Sequence, residues 1–114
     1  MGKEDQIENR NYPRAKTVFE VIYALNLDSG LQNAISRDFS ATGMSFSVDE
    51  PLTAGSMINI ELRLNDIDKT IKTKAIVVRS WKESNDQYVS VHFFDINYHD
   101  FITLLDYSLT FQIE

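Results

Sequence analysis

Arg10 and Arg14 stand four residues apart in the stretch RNYPR, with Pro13 between them. Proline disfavours a helix through the pair, so this is not the spacing of two neighbours on a helical face. A loop presents both side chains instead. A guanidinium is a planar fork that grips a phosphate with two parallel hydrogen bonds, reads the O6 and N7 edge of guanine, or stacks on a base. The plainer use of the same residues is to sit in solvent and pair with the carboxylates of an acidic chain.

A second pattern, D-x-S-x-x-G, lies in SRDFSATGMSF (36–46) as Asp38, Ser40 and Gly43. A carboxylate accepts hydrogen bonds from N1 and N2 of guanine, a hydroxyl donates to a base or phosphate, and glycine permits close backbone approach or positive φ. The bland alternative is a turn in which Asp or Ser bonds its own backbone. At residue frequencies of about 5–7%, accident supplies the pair of motifs in fewer than about one chain in a hundred.

Elsewhere the chemistry is thinner. Arg79, read as ending a long strand, can reach a second guanine face, but pairing with Asp or Glu is the ordinary role of such a residue. Trp81 can stack on a base, with packing in the core or at the rim as its commoner use. His92 falls in a strand and His99 in a first helical turn; neither has companions at metal-ligand spacing, so no metal site is expected. Asp38, Ser40 and a histidine lack a nucleophile elbow and any known triad order, so no catalysis is expected.

These residues need a frame. TVFEVIYAL (17–25) is rich in β-branched and aromatic residues and reads as a buried strand. Residues 31–37 and 44–48 follow as strands flanking the turn SATG, and PLTAG closes the pair. In SMINIELRL (56–64), Ile58, Ile60, Leu62 and Leu64 alternate with Asn59, Glu61 and Arg63, as a half-exposed strand requires. TIKTKAIVVRSW (70–81) and QYVSVHFF (87–94) complete six strands, an all-β pattern that predicts an antiparallel barrel or sandwich. The period then changes. Phe101, Ile102, Leu105 and Leu109 fall at helical spacing behind Asn97, with Asp100 in the first turn, and predict one amphipathic helix packed on the barrel.

A chain of 114 residues with 43% hydrophobic residues accommodates one domain and its core, here residues 10–114 behind a polar leader at 1–9. The absence of cysteine excludes disulfides, thiolate catalysis and Cys-ligated zinc. No stretch has the length of a membrane span or the form of a signal peptide, so a cytoplasmic protein without membrane insertion is expected. A net charge of −6 with no Lys/Arg block argues against nucleic acid as partner, and so against a small OB-type barrel on single strands. A small anion is compatible, because a few arginines act within roughly 10 Å before salt screens them.

RNYPR followed by DFSATG, in a short all-β chain ending in a helix, resembles the PilZ domain, a bacterial receptor module for cyclic di-GMP whose signatures are RxxxR and [D/N]xSxxG. The likeness runs over nearly the whole chain, since IVVRSW, VSVHFFDI and the terminal helix keep the family's order. The resemblance implies a six-stranded antiparallel PilZ-type split barrel with cyclic di-GMP on its outside and no other cofactor. Arg10 and Arg14 would hold guanine and phosphate, Asp38 and Ser40 would contact the guanine edge, and Gly43 would keep the turn tight. Many members have a basic residue immediately before RxxxR; Asn9 stands there, which favours one bound ligand over a stacked pair. The implied function is a non-catalytic receptor in which ligand orders the N-terminal segment and so presents a new surface to an unidentified effector protein. The implied rival is a PilZ-like adaptor working through protein contacts alone; such members often lose the motif arginines, and both are present here.

Overall fold

The structure, a computed structural model, describes residues 15–25 and 30–111. The leader at 1–9 and the site residues Asn9, Arg10 and Arg14 lie outside the described residues. Six strands, β1 (Glu20–Ala24), β2 (Gln32–Phe39), β3 (Gly43–Val48), β4 (Met57–Leu64), β5 (Lys69–Glu83) and β6 (Asp86–Phe94), are followed by one helix, α1 (Tyr98–Thr110). All neighbouring pairs are antiparallel, and the order β1-β2-β3-β6-β5-β4 closes into a barrel through the pairing of β1 with β4.

Alternation along the strands supplies the core. Val21 and Tyr23 of β1, Met44, Phe46 and Val48 of β3, Ile58, Ile60, Leu62 and Leu64 of β4 and Val89, Val91 and Phe93 of β6 all point inward and fill the barrel. The six predicted strands are all present, with shifted ends. The first begins at Glu20 rather than residue 17, because the Ser36 hydroxyl takes over the hydrogen bonding there: it accepts from Phe19 N at 2.9 Å and donates to Thr17 O at 2.7 Å. The second runs on to Phe39, so Asp38 belongs to a strand and not to the turn. The fifth continues past Trp81 to Glu83, leaving a two-residue connection in which Ser84 takes φ 54°.

Two strands break the period of two. In β2 the inward positions run Ala34, Ser36, then Phe39, because a bulge inserts Arg37 between the pairs Ser36–Phe46 and Asp38–Ser45. In β5 they run Ala75, Val77, then Ser80, because Val78 is inserted between Val77–Val91 and Arg79–Ser90. Each bulge lets two consecutive residues face outward.

The helix covers the end of the barrel where β1 begins and β2 and β4 finish. Its cap is the predicted one, with Asn97 Oδ1 accepting from Asp100 N at 2.8 Å. The buried stripe differs from the predicted one. Leu104, Tyr107 and Ser108 are buried and Phe101, Leu105 and Phe111 pack beside them, whereas Leu109 is 51% exposed. Aromatic geometry selects the face: Tyr107 packs on Phe39 at 5.6 Å, on Phe19 at 6.4 Å and on Phe111 at 5.0 Å, which turns Leu109 outward.

Tyr107 also donates to Asp66 Oδ1 at 2.7 Å, tying α1 to the short 3-10 turn Asn65–Ile67. Burial first, then the bond and charge of Asp66, raises the phenol well above its ordinary value of 10.0. The unfolded chain therefore releases this proton first, so the tyrosine's contribution is whole below pH 10 and is lost as the pH climbs toward the folded value. Tyr107→Phe is expected to lower stability by about 1 kcal/mol at neutral pH and to flatten the loss above pH 10, read from denaturant midpoints across the pH range.

Candidate functional site

The registers place four polar residues in one row across the outside of β2, β3, β6 and β5: Asp38 opposite Ser45, Ser45 opposite Ser90, Ser90 opposite Arg79. The bulges sit at the two ends of this row and turn Asp38 and Arg79 outward. The floor between them is built of small hydroxyl side chains, and Ser45 Oγ donates to Asp38 Oδ1 at 2.9 Å, which fixes the carboxylate. One step along the sheet, Ser47, Tyr88 and Trp81 form a second row. Trp81 and Tyr88 stack at 5.8 Å with an angle of 29° and stand as a wall beside the floor.

Guanidinium groups cover the wall from both sides. The Arg79 Cζ lies 4.3 Å from the Trp81 ring centre and the Arg37 Cζ 4.8 Å from that of Tyr88. Arg37 also pairs with both carboxylate oxygens of Glu83, its Nη2 donating to Oε2 at 3.3 Å. The hydrogen bond from Arg37 holds the Glu83 carboxyl below its ordinary range, and its reciprocal raises the Arg37 guanidinium. The resulting concavity, about 350 Å³, is lined by Arg37, Asp38, Ser45, Arg79, Trp81, Glu83 and Ser90.

The motif residues divide into two kinds. Asp38 belongs to the floor. Ser40 is only 4% exposed and shapes the turn: its Oγ accepts from Thr42 N at 3.2 Å and lies 3.2 Å from Thr42 Oγ1, while Ser40 N bonds Gly43 O at 2.8 Å. Gly43 does not take positive φ. Its freedom is used for close approach instead, since a Cβ there would lie 2.4 Å from the carbonyl oxygen of Val91 on β6. Arg79, expected to pair with a carboxylate at a strand end, lies within β5 and has no acidic partner among the described residues; it rests on Trp81. Trp81 is on the outer face, half-buried. His92 and His99 are exposed, and no three His, Asp or Glu among the described residues come together to hold a metal ion.

Arg37, Ser45, Tyr88, Glu83 and Ser90 were not marked by sequence reasoning. Strict alternation puts Arg37 and Asp38 on opposite faces, and only the bulge brings them to one. The alternating serines of GMSFSV were the available signal for a small-residue floor.

Ala15 reaches the second motif. This residue, one peptide bond from Arg14, is fully buried and bridged to Phe39: Ala15 N donates to Phe39 O at 2.8 Å and Phe39 N to Ala15 O at 3.0 Å. Two larger hollows suit an anion less well. In the one of about 900 Å³, Arg63 is already held by Glu61 at 2.8 Å and Glu20 at 3.7 Å. The other, about 410 Å³, is lined by Ile22, Ala24, Leu31 and Phe94 with two lysines and no guanidinium.

A sequence model of the PilZ domain matches residues 8–109. No curated protein matches the chain. Among solved structures, the Bacillus subtilis inhibitor of motility (MotI/DgrA) superposes with a TM-score of 0.79 at 22% identity, over 89% of this chain and 49% of its own. The chain thus spans about half of that protein. The PilZ domain of Escherichia coli YcgR, solved with c-di-GMP, superposes with a TM-score of 0.72 at 14% identity over 90% of each chain. The PilZ domain of CeSA from a cellulose-synthesizing bacterium gives 0.62 at 15% identity, over 85% of this chain and 95% of its own. These likenesses establish the fold.

A methyl group at position 43 must displace the backbone of β6. Gly43→Ala is expected to cost about 1–3 kcal/mol in a chemical-denaturation experiment, and an unchanged midpoint would contradict the close approach.

Proposed function

The chain belongs to the PilZ domain family, and from that membership we propose that it is a non-catalytic receptor for cyclic di-GMP, with a receptor domain spanning residues 10–114. The observation that carries the reading is the Ala15–Phe39 bridge, which joins the residue after RNYPR to the residue after Asp38 by two backbone hydrogen bonds. In this reading the bridge brings RNYPR to the edge of the Asp38–Ser45–Ser90–Arg79 row.

In this reading Arg10 and Arg14 hold guanine and phosphate from one side, and Asp38 accepts from N1 and N2 of a guanine lying over the serine floor. Ser40, whose hydroxyl keeps capacity for one further bond beyond its turn, meets the same edge; Gly43 sets the sheet spacing below it. Arg79 supplies a guanidinium unneutralised by any described carboxylate, directed at the ligand's phosphate or second base. Asn9 in place of a basic residue limits the site to one ligand. Holding the ligand draws the N-terminal segment onto the barrel face and creates a surface for an effector protein. The setting is cytoplasmic; no helix among the described residues is long and apolar enough to cross a membrane.

Calorimetric titration of the purified chain with cyclic di-GMP, with GTP as control, tests this. The expected result is saturable binding of one ligand, weakened by about tenfold or more in Arg10→Ala and Arg14→Ala at unchanged thermal stability. A folded, ligand-free sample giving neither heat nor a thermal shift would sink the receptor reading and leave the adaptor.

A further inference from the structure

The concavity beside Asp38 holds two guanidinium groups and two carboxylates, and the four are not equivalent. Arg37 is committed, paired with Glu83 and laid against Tyr88. Asp38 receives the Ser45 hydroxyl. Arg79 alone of the two cations is without a carboxylate among the described residues. An incoming anion therefore meets one available positive charge among the described residues of the concavity, because Glu83 neutralises the other. The Glu83 side chain is 53% exposed and lies at the end of β5, outside the hydrophobic core. A carboxylate lining a face that takes a phosphate works against affinity, so its effect must lie in what it turns away.

We propose, on the basis of the receptor reading, that Glu83 is a specificity-determining residue that admits phosphodiesters and disfavours nucleotides ending in a free phosphate. A diester carries one negative charge per phosphate, whereas a terminal phosphate carries nearly two at neutral pH. The extra charge finds no second free guanidinium, because Glu83 neutralises Arg37 and holds it against Tyr88. The Arg37–Glu83 pair contributes no net charge, so Glu83 acts by withholding Arg37, and Arg79 alone of the concavity's two described guanidinium groups meets the ligand.

The discriminating ligand is the linear dinucleotide left when one phosphodiester of cyclic di-GMP is opened, which has the same two guanines and a terminal 5′-phosphate. Titrations of the whole chain with the cyclic and linear forms, followed by calorimetry and by the emission of Trp81, the single tryptophan, give a cyclic-to-linear affinity ratio. In Glu83→Gln, which keeps a hydrogen-bonding group but removes the charge, this ratio is expected to fall about threefold at low salt. Glu83→Asp keeps a carboxylate beside Arg37 and is expected to retain the ratio. A ratio unchanged in Glu83→Gln, or lost equally in Glu83→Asp, would overturn the proposal while leaving the receptor intact. Failure of cyclic di-GMP to bind the wild-type chain at all would remove the receptor reading and this inference with it.

Discussion

Closure of the barrel through β1 is the constraint from which the site follows. This strand has five residues and is hydrogen-bonded on both sides, to β2 and to β4, so the ring has no seam. Closing six strands around one packed interior requires tilt and bending, and bulges are how strands bend without losing their ladders. In this chain they fall at Arg37 and Val78, at opposite ends of the same row. What curvature demands of the backbone also delivers two adjacent outward residues on each of two strands. The polar row is in this sense a by-product of the barrel's geometry.

The frame was legible in the sequence because most of it obeys simple periods. MINIELRL alternates without interruption and its four aliphatic residues all reach the core; Asn97 caps the helix where its type and position suggest. Legibility fails where the period fails. Arg37 and Asp38 are consecutive, and alternation assigns them opposite faces; the insertion that reunites them leaves no residue signature. Leu109 departs from the helical pattern for a related reason, since hydropathy weighs it above Tyr107, while ring packing on Phe19 and Phe39 decides the helix rotation. The floor of Ser45 and Ser90 depends on register across β3 and β6, which no local pattern encodes.

Charge on the barrel is sorted by partner rather than by number. Arg63 and Arg37 each have a carboxylate within hydrogen-bonding distance, and Arg79 has an aromatic face instead. A cation on an indole stays a cation to the solvent, whereas one in a bidentate carboxylate pair is largely spent. Among the described arginines of this acidic chain Arg79 thus stays a positive point, which overall charge does not reveal.

The carbonyl of Val91 standing where a Gly43 side chain would begin gives the letters of the D-x-S-x-x-G signature unequal diagnostic weight. Gly43 and Ser40 are required by the fold itself, through sheet spacing and the turn, so a domain that had ceased to bind any ligand would still be under selection to keep them. Asp38 differs in facing outward, into the concavity, while accepting the Ser45 hydroxyl. Within this signature the glycine and the serine therefore report on the fold, whatever the domain binds.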